Sequence, residues 1–393
     1  MKLPQGFEGK GEHVVCKLKK SLYGLKQASR QWNQKLSQAL IKGGFVQSKS
    51  DYSLFTMDWN DCVVFVLVYV DDLLITGSSE EGISYAKGLL HDNFEIKDLG
   101  HMKYFLGIEI AKSESGVVLS QRKFVLDLLS DTGMSGCKPL SIPMAQNLKL
   151  MPFQEGKDNI QDLCKNAEQY RRLVGKLIYL TMTRPDICFC VQTLSQFMQK
   201  PTKAHMAAAR NVLRYLKGTV GLGIKLSSDG DSNLECFCDS DWASCGVTRR
   251  SVSGYLLKFG GSLVMWKTKK QTTVSKSSAE AEYRALSMAT SEIGWALGLL
   301  RDLRIPQTRP VPIYCDSIAA IHIAANPVFH ERTKHIEVDC HFIRDKWKEK
   351  VIDLIHVRSH EQEADLLTKS VSGDVQRKLL SKLGSINIFA PPT

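Results

Sequence analysis

From Leu234 to about Leu380 the chain carries a succession of apolar patterns that fits a mixed sheet with helices packed on it. Leu234–Cys238, Ser251–Phe259 and Ser262–Lys267 read as three strands, and Gly260-Gly261 supplies the permissive backbone for a hairpin between the last two. A long helix follows from Ser278 to about Leu303, with Ser277-x-x-Glu280 resembling a capping box at its start. Next come a strand at Val311–Cys315, helices at Ser317–Ala325 and His335–Lys348, a strand at Val351–Val357 and a helix from about Gln362. Written out, the order is βββαβααβα.

Four acidic positions fall where this layout can bring them together. Asp239 and Asp241 end the first strand on the same face as Glu235 and Phe237, so alternation does not choose between them. On the long helix, Ala285, Leu286, Ala289, Ile293, Leu297 and Leu300 form one apolar stripe with Glu282 at its head. Glu280 points nearly the opposite way, as capping requires. An acid on a buried stripe is costly without a cation or hydrogen-bond partners, which makes Glu282 the functional candidate. Asp316 follows the strand Val311–Cys315, and Asp365 opens the last helix; singly, each also suits a helix start. Around one sheet, acids at strand ends and helix starts can cluster, repel one another and attract divalent cations. Oxygen-only ligands suit Mg²⁺ or Mn²⁺ rather than zinc, and two such ions about 4 Å apart serve phosphodiester hydrolysis.

Upstream, Val66 to Gly77 reads as an apolar hairpin with Asp71-Asp72 at its tip. Adjacent acids are common in turns, but buried flanking strands would hold these two rigidly enough to anchor Mg²⁺. A helix is predicted near Gln27–Lys42, strands at Tyr52–Met57, Cys62–Val70 and Leu73–Gly77, and helices at Gly82–His91 and Gln121–Leu129. Leu140–Asp162, with Pro143, Pro152 and Gly156, reads as a linker, and a helical region, Gln169–Lys217, is broken at Pro185 and Pro201.

Composition narrows the class. With 43% hydrophobic and 24% charged residues over 393 positions, the chain is globular and long enough for two to three domains. Disordered, collagen-like and small disulfide-scaffold classes do not fit. The N-terminus lacks the apolar run of a signal peptide, and Val63–Val70 is far too short to span a bilayer. The 11 scattered cysteines include no C-x-x-C and read as reduced thiols, so the expected setting is intracellular, cytoplasmic or nuclear, and not secreted. Lys plus Arg exceed Asp plus Glu by 52 to 41, a net charge of +11 that suits a polyanion partner. Basic clusters occur at Lys17-x-Lys19-Lys20, Arg171-Arg172, Arg249-Arg250, Lys267-x-Lys269-Lys270 and Arg332-x-Lys334-His335. The last two flank the acidic positions in sequence and are candidates for phosphate contacts, whereas Trp242 and Trp266 read as core residues.

The C-terminal region resembles the RNase H domain of copia-type retrotransposon Pol polyproteins. The resemblance rests on Cys238-Asp239-Ser240-Asp241-Trp242-Ala243, Ser253-Gly254-Tyr255, Trp266-Lys267, Ser277 to Tyr283, Cys315-Asp316-Ser317, Arg332 to Ile336 and Ala364 to Lys369. It implies that Asp239, Glu282, Asp316 and Asp365 hold two Mg²⁺ ions and hydrolyse the RNA strand of an RNA–DNA hybrid. His360 lies roughly where many RNase H enzymes carry a mobile-loop histidine, although the copia-type loop is short and usually lacks one.

The hairpin is similar to the Tyr-Val-Asp-Asp block of reverse transcriptases. Leu22 to Ala28, Gly44-Phe45, Asp51 and Tyr104 to Glu109 agree with the copia type. By that resemblance Asp71 and Asp72 are metal ligands and Gln27 lies near the incoming nucleotide. Thr183 to Ile187, Ser195-Gln196-Phe197 and Arg214 to Gly218 resemble the family's connection segment. Leu3 to Phe7 looks like the tail of a block that follows a further palm aspartate, so the expectation is a truncated palm without polymerase activity. The expected fold is an α+β, α/β multidomain chain. It comprises a reverse transcriptase palm and thumb part (1–145), a linker and helical connection (146–230), an RNase H-like mixed five-stranded sheet with helices (231–380) and a tail (381–393). The alternative is a catalytically inactive, nucleic-acid-binding transposon remnant.

Overall fold

The structure, a computed structural model, describes residues 15–19, 22, 24–307, 309–325 and 337–389. The chain divides into two compact units, Met1–Leu99 with Gly298–Ile305, and Gly100–Leu297 with Pro306–Thr393.

In the first unit, helix α1 (Ala28–Lys42) precedes a four-stranded sheet in the order β1 (Val46–Gln47), β2 (Leu54–Trp59), β3 (Cys62–Tyr69), β4 (Asp72–Gly77). Helix α2 (Glu80–Asn93) follows, N-capped by Ser79. Leu36, Leu40, Phe55, Val64, Val66, Ala86 and Leu90 close one core between the helices and the sheet. Asn60 and Asp61, both at positive φ, make the tight β2–β3 turn.

The β3–β4 hairpin turns through Val70-Asp71, since Tyr69 pairs with Asp72. Val70 sits at φ 55°, a costly setting for a β-branched residue. The Trp32 indole N–H donates to the Val70 carbonyl at 2.6 Å and helps hold the turn.

The second unit contains a sheet that the sequence patterns did not reveal. Its order is β14-β8-β7-β6-β5. The strands are β5 (Tyr104–Phe105), β6 (Ile108–Ser113), β7 (Gly116–Ser120), β8 (Leu222–Ser227) and β14 (Ser385–Asn387). Between β7 and β8 run α3 (Arg122–Asp131), α4 (Ala167–Leu180), α5 (Cys188–Ser195) and α6 (Lys203–Gly218). Their apolar faces share a core that includes Val125, Tyr170, Leu177, Leu194, Leu213 and Leu216. Arg184 and Asp186, two residues apart and both buried, form a two-pronged ion pair at 3.0 and 2.7 Å. Tyr215 donates to Asp186 at 2.6 Å, and Thr219 accepts from Arg184 through both its carbonyl and its hydroxyl.

The other sheet of this unit has the order β11-β10-β9-β12-β13. Its strands are β9 (Leu234–Asp241), β10 (Val252–Phe259), β11 (Ser262–Lys270), β12 (Val311–Cys315) and β13 (Ile352–His356). The first three strands are antiparallel, whereas β12 runs parallel to both β9 and β13. Gly260 and Gly261, at φ 56° and 72°, make the β10–β11 turn. Strand β9 extends to Asp241 and β11 to Lys270, farther than hydropathy alone marks, because polar residues at their ends still pair with β10.

Helix α7 (Ser278–Asp302) spans 25 residues, with Ala285, Leu286, Ala289 and Ile293 fully buried. Helices α8 (Ile318–Ala325) and α9 (Glu337–Lys348) separate β12 from β13.

The single helix expected from Gln362 is broken. A 3₁₀ turn at Ser359–Glu361 is followed by α10 (Asp365–Thr368) and α11 (Gly373–Lys382). Gln362 instead donates its side-chain amide to the Cys238 carbonyl at 2.9 Å, and Lys369 adopts an extended backbone that ends α10. Trp242 also departs from expectation. It is 52% exposed, and its indole N–H donates to the Ser275 carbonyl. Trp266 is half-buried and donates to the Thr181 carbonyl at 2.9 Å.

Candidate active site

Because β9 and β12 are parallel, their C-terminal ends lie at one edge of the sheet. Asp239 comes from the end of β9, and Asp316 follows β12 directly. Glu282 enters from the second turn of α7, and Asp365 from the start of α10. Asp316 lies close enough to help raise the carboxyls of Asp239, Glu282 and Asp365, behind burial as the main cause.

Asp239 is 3% exposed and accepts a hydrogen bond from the Thr368 hydroxyl. This contact requires Gly254, which pairs with Asp239 across β10. A Cβ at Gly254 would lie 2.8 Å from both Leu367 Cβ and Thr368 Cγ2, so only glycine lets α10 close over the strand. Asp241, the residue that alternation left level with Asp239, spends its carboxylate on the Val252 N–H at 2.6 Å.

Glu282 is 7% exposed. Its Oε1 accepts the Ser240 N–H at 3.2 Å, while its buried Oε2 has no hydrogen-bond partner. Burial, reinforced by Asp239, Cys315 and Asp316, pushes its carboxyl up to about 10. Glu280, by contrast, is satisfied. It accepts from the Lys276 N–H at 2.7 Å and pairs with Arg284 at 3.0 Å. A buried polar knot supports the start of α7, in which the Gln271 amide donates to Ser253 Oγ, Ser240 Oγ and the Ala281 carbonyl. Ser275 in turn donates to Gln271 at 2.6 Å.

Glu282, Cys315 and Asp316 each offer one ligand atom, and these atoms all lie within 4.8 Å of one another. Asp316 is half-buried and accepts from the Ser359 hydroxyl at 2.8 Å. Lys369 lies 2.7 Å from Asp365 and 3.9 Å from Asp239, so one ammonium links two of the four acids. Burial pushes the Asp365 carboxyl up, Asp239 adds to the rise, and Lys369 limits it to about 6. The sequence reading gave no role to Lys369, Thr368, Ser359 or Cys315. The i,i+4 spacing of Asp365 and Lys369 was the one visible hint.

A buried carboxylate oxygen without a donor, beside Asp239, Cys315 and Asp316, fits a divalent cation. Asp239, Glu282, Asp316 and Asp365 would hold it, with the ammonium of Lys369 at the rim. In the absence of added ions, protonation of Glu282 is linked to folding. Its carboxyl lies above the ordinary 4.5, so its contribution to stability is complete below about pH 4.5 and is lost as pH rises toward 10. The ion-free protein should therefore become less stable between pH 6 and 9, and added Mg²⁺ should reverse the trend. Urea unfolding at several pH values measures this, and a slope unchanged in Glu282→Gln would refute it.

Asp71 and Asp72 are exposed on the first unit's hairpin, and Gln27 is an exposed residue at the N-cap position of α1. Lys267 and Lys269 are exposed on one face of β11; Lys267 pairs with Glu292 at 3.2 Å. Lys270 donates to Gln196 and to Cys245 Sγ, both at 2.8 Å. His360 is exposed on the 3₁₀ turn that carries Ser359. Arg332, Lys334 and His335 lie outside the described residues. None of the 11 cysteines forms a disulfide, and no described helix is long and apolar enough to cross a membrane.

The fold and this cluster belong to a chain built from several α/β modules, with acids gathered at a sheet edge. Residues 1–146 match the family model for reverse transcriptase (RNA-dependent DNA polymerase). The chain is 42% identical over 394 residues to the retrovirus-related Pol polyprotein from transposon RE1 of Arabidopsis thaliana, covering 100% of this chain and 26% of that one. It is 36% identical to the Pol polyprotein from transposon TNT 1-94 of Nicotiana tabacum, covering 94% of this chain and 28% of that one. A putative transposon Ty5-1 protein of Saccharomyces cerevisiae is 31% identical, with 75% of this chain and 94% of that one covered. The chain belongs to the copia-type retrotransposon Pol polyprotein family. It spans only about a quarter of the length of the two plant polyproteins.

Among solved structures, LC11-RNase H1 in complex with RNA/DNA hybrid aligns at a TM-score of 0.27 and 15% identity, covering 35% of this chain and 94% of that one. Prototype foamy virus protease-reverse transcriptase aligns at 0.22 and 10% identity, covering 92% and 62%. Both scores are too low to argue a shared fold.

Proposed function

We propose that the second unit cleaves the RNA strand of RNA–DNA hybrids at the Asp239–Glu282–Asp316–Asp365 cluster, as an RNase H-type nuclease. The observation that carries the reading is the partnerless, buried Oε2 of Glu282, beside the carboxylates of Asp239 and Asp316. When bound, a pair of Mg²⁺ or Mn²⁺ ions supplies nucleophile activation and leaving-group stabilisation.

The protein's own residues set the geometry. The Ser240 N–H fixes one oxygen of Glu282 and leaves the other for a ligand. Thr368 orients Asp239, and Ser359 orients Asp316. Lys369 balances negative charge between Asp239 and Asp365, which keeps the acids together without an ion. We assign phosphate contacts to Lys267, Lys269 and Lys270, with Arg332, Lys334 and His335 as further contacts.

For the remainder we propose a reverse transcriptase part at 1–145, with Asp71 and Asp72 as ion ligands and Gln27 near the nucleotide. A connection at 146–230 joins it to the nuclease at 231–380. The residue composition and the absence of a described membrane-crossing helix are compatible with action inside the cell.

The test is cleavage of a labelled RNA–DNA hybrid by the purified chain in Mg²⁺, beside Asp316→Asn. Wild type should cut only the RNA strand, and the variant should be inert. Equal activity in both would assign the cleavage to a contaminant. A folded wild type that binds hybrid without cutting it would favour a non-catalytic nucleic-acid-binding role. Hybrid affinity should also fall steeply with salt, as phosphate contacts require.

A further inference from the structure

One side chain in the acidic cluster is not explained by oxygen-ligand chemistry. Cys315 is fully buried at the end of β12, and its Sγ is one of the three ligand atoms that lie within 4.8 Å of one another. A second thiol stands beside it. Cys238 is also fully buried, on the neighbouring strand. Cys238 and Cys315 each lie two residues beyond a paired position of the parallel strands β9 and β12, Cys236 and Ile313. The corner therefore presents the Cys315 sulfur with two carboxylates, and one carboxylate oxygen, Glu282 Oε2, is buried without a partner.

We propose that this corner is a thiophilic cation site, in which a zinc- or cadmium-class ion takes Cys315, Glu282 and Asp316 as ligands. One thiolate with two carboxylates suits a four-coordinate soft or borderline ion whose remaining position is left to water. Mg²⁺ prefers oxygen and octahedral geometry, and it would leave the sulfur unused. As the metal–sulfur bond forms, the thiol releases its proton to solvent, so charge and atoms balance without a redox step. Because Glu282 and Asp316 are shared, the soft ion excludes Mg²⁺ from them. Submillimolar zinc would then block any chemistry that needs Mg²⁺ at the cluster.

The site does not depend on hybrid cleavage, since the ion itself can be followed. The full chain is titrated with Cd²⁺ while the ultraviolet thiolate-to-cadmium charge-transfer band is recorded, with excess Mg²⁺ present. Wild type should show one tight equivalent above the background of the other cysteines. Cys315→Ala should lose that equivalent. Asp316→Asn, at a half-exposed position outside the core, should keep the fold and weaken the tight equivalent at least about tenfold, since even supporting groups around a metal are worth 10- to 100-fold. The proposal is overturned if wild type shows no tight equivalent, or if folded Asp316→Asn and Cys315→Ala both bind Cd²⁺ as wild type does.

Discussion

Glu282→Gln should lower RNA–DNA hybrid cleavage by about a thousandfold or more and yet stabilise the ion-free protein at pH 8. A thousandfold corresponds to roughly 4 kcal/mol of transition-state stabilisation, a reasonable demand on one anionic ligand. The amide keeps the shape, and its carbonyl can still accept the Ser240 N–H. It cannot supply the charge that a divalent ion needs. Stability moves the other way because folding the ion-free protein at pH 8 makes Glu282 take up a proton, its carboxyl being buried beside Asp239, Cys315 and Asp316 with Oε2 unpartnered. Relief of that penalty should be worth about 1–3 kcal/mol, the range found for uncompensated buried polar groups. Hybrid cleavage and urea unfolding of the same preparation read the two effects. A variant that is inactive and also less stable would point to a simple folding role for Glu282.

The largest loss of stability is expected at Asp186. Its carboxylate takes two hydrogen bonds from Arg184 and one from Tyr215, and nothing of it reaches solvent. Gln376 of α11 donates to the Tyr215 hydroxyl at 2.8 Å, so the cluster also ties the C-terminal helix to α6. Asp186→Ala leaves a buried guanidinium uncompensated, which typically costs about 3–5 kcal/mol. That is a large fraction of the roughly 5–15 kcal/mol that holds a domain together. Thermal or chemical unfolding should show it. A double variant, Arg184→Met with Asp186→Leu, should recover part of the loss, because buried ion pairs are often replaceable by apolar side chains. If the double variant is as damaged as the two singles added together, the pair is not the unit that matters.

Much of the local structure was legible in the sequence. The long amphipathic helix, the Gly260-Gly261 hairpin and the strand Val311–Cys315 each leave a short-range signature, as does the hairpin read with Asp71-Asp72 at its tip, whose turn falls one residue earlier because Asp72 pairs with Tyr69. Glu282 was legible for the same reason. An acid at the head of an apolar stripe contradicts helix periodicity unless it has a partner.

Other features required the folded chain. The sheet containing β5 to β8 and β14 pairs strands about 105 to 165 residues apart, and its short strands carry little periodicity of their own. Alternation could not separate Asp239 from Asp241, since both occupy one face of β9. Tertiary contacts distinguished them, with Thr368 and Lys369 meeting the first and the Val252 N–H the second. The break in the C-terminal helix had the same origin, because the Gln362 side chain is used to pin that segment to β9.

Local periodicity and turn chemistry thus determined the longer helices and the strands of the β9–β13 sheet, and marked one acid as anomalous. Only the tertiary structure decided which acids share an edge, which are already satisfied, and that two thiols stand beside them. Those are distances between residues remote in sequence, and they are set by sheet order and packing, which a local pattern does not encode.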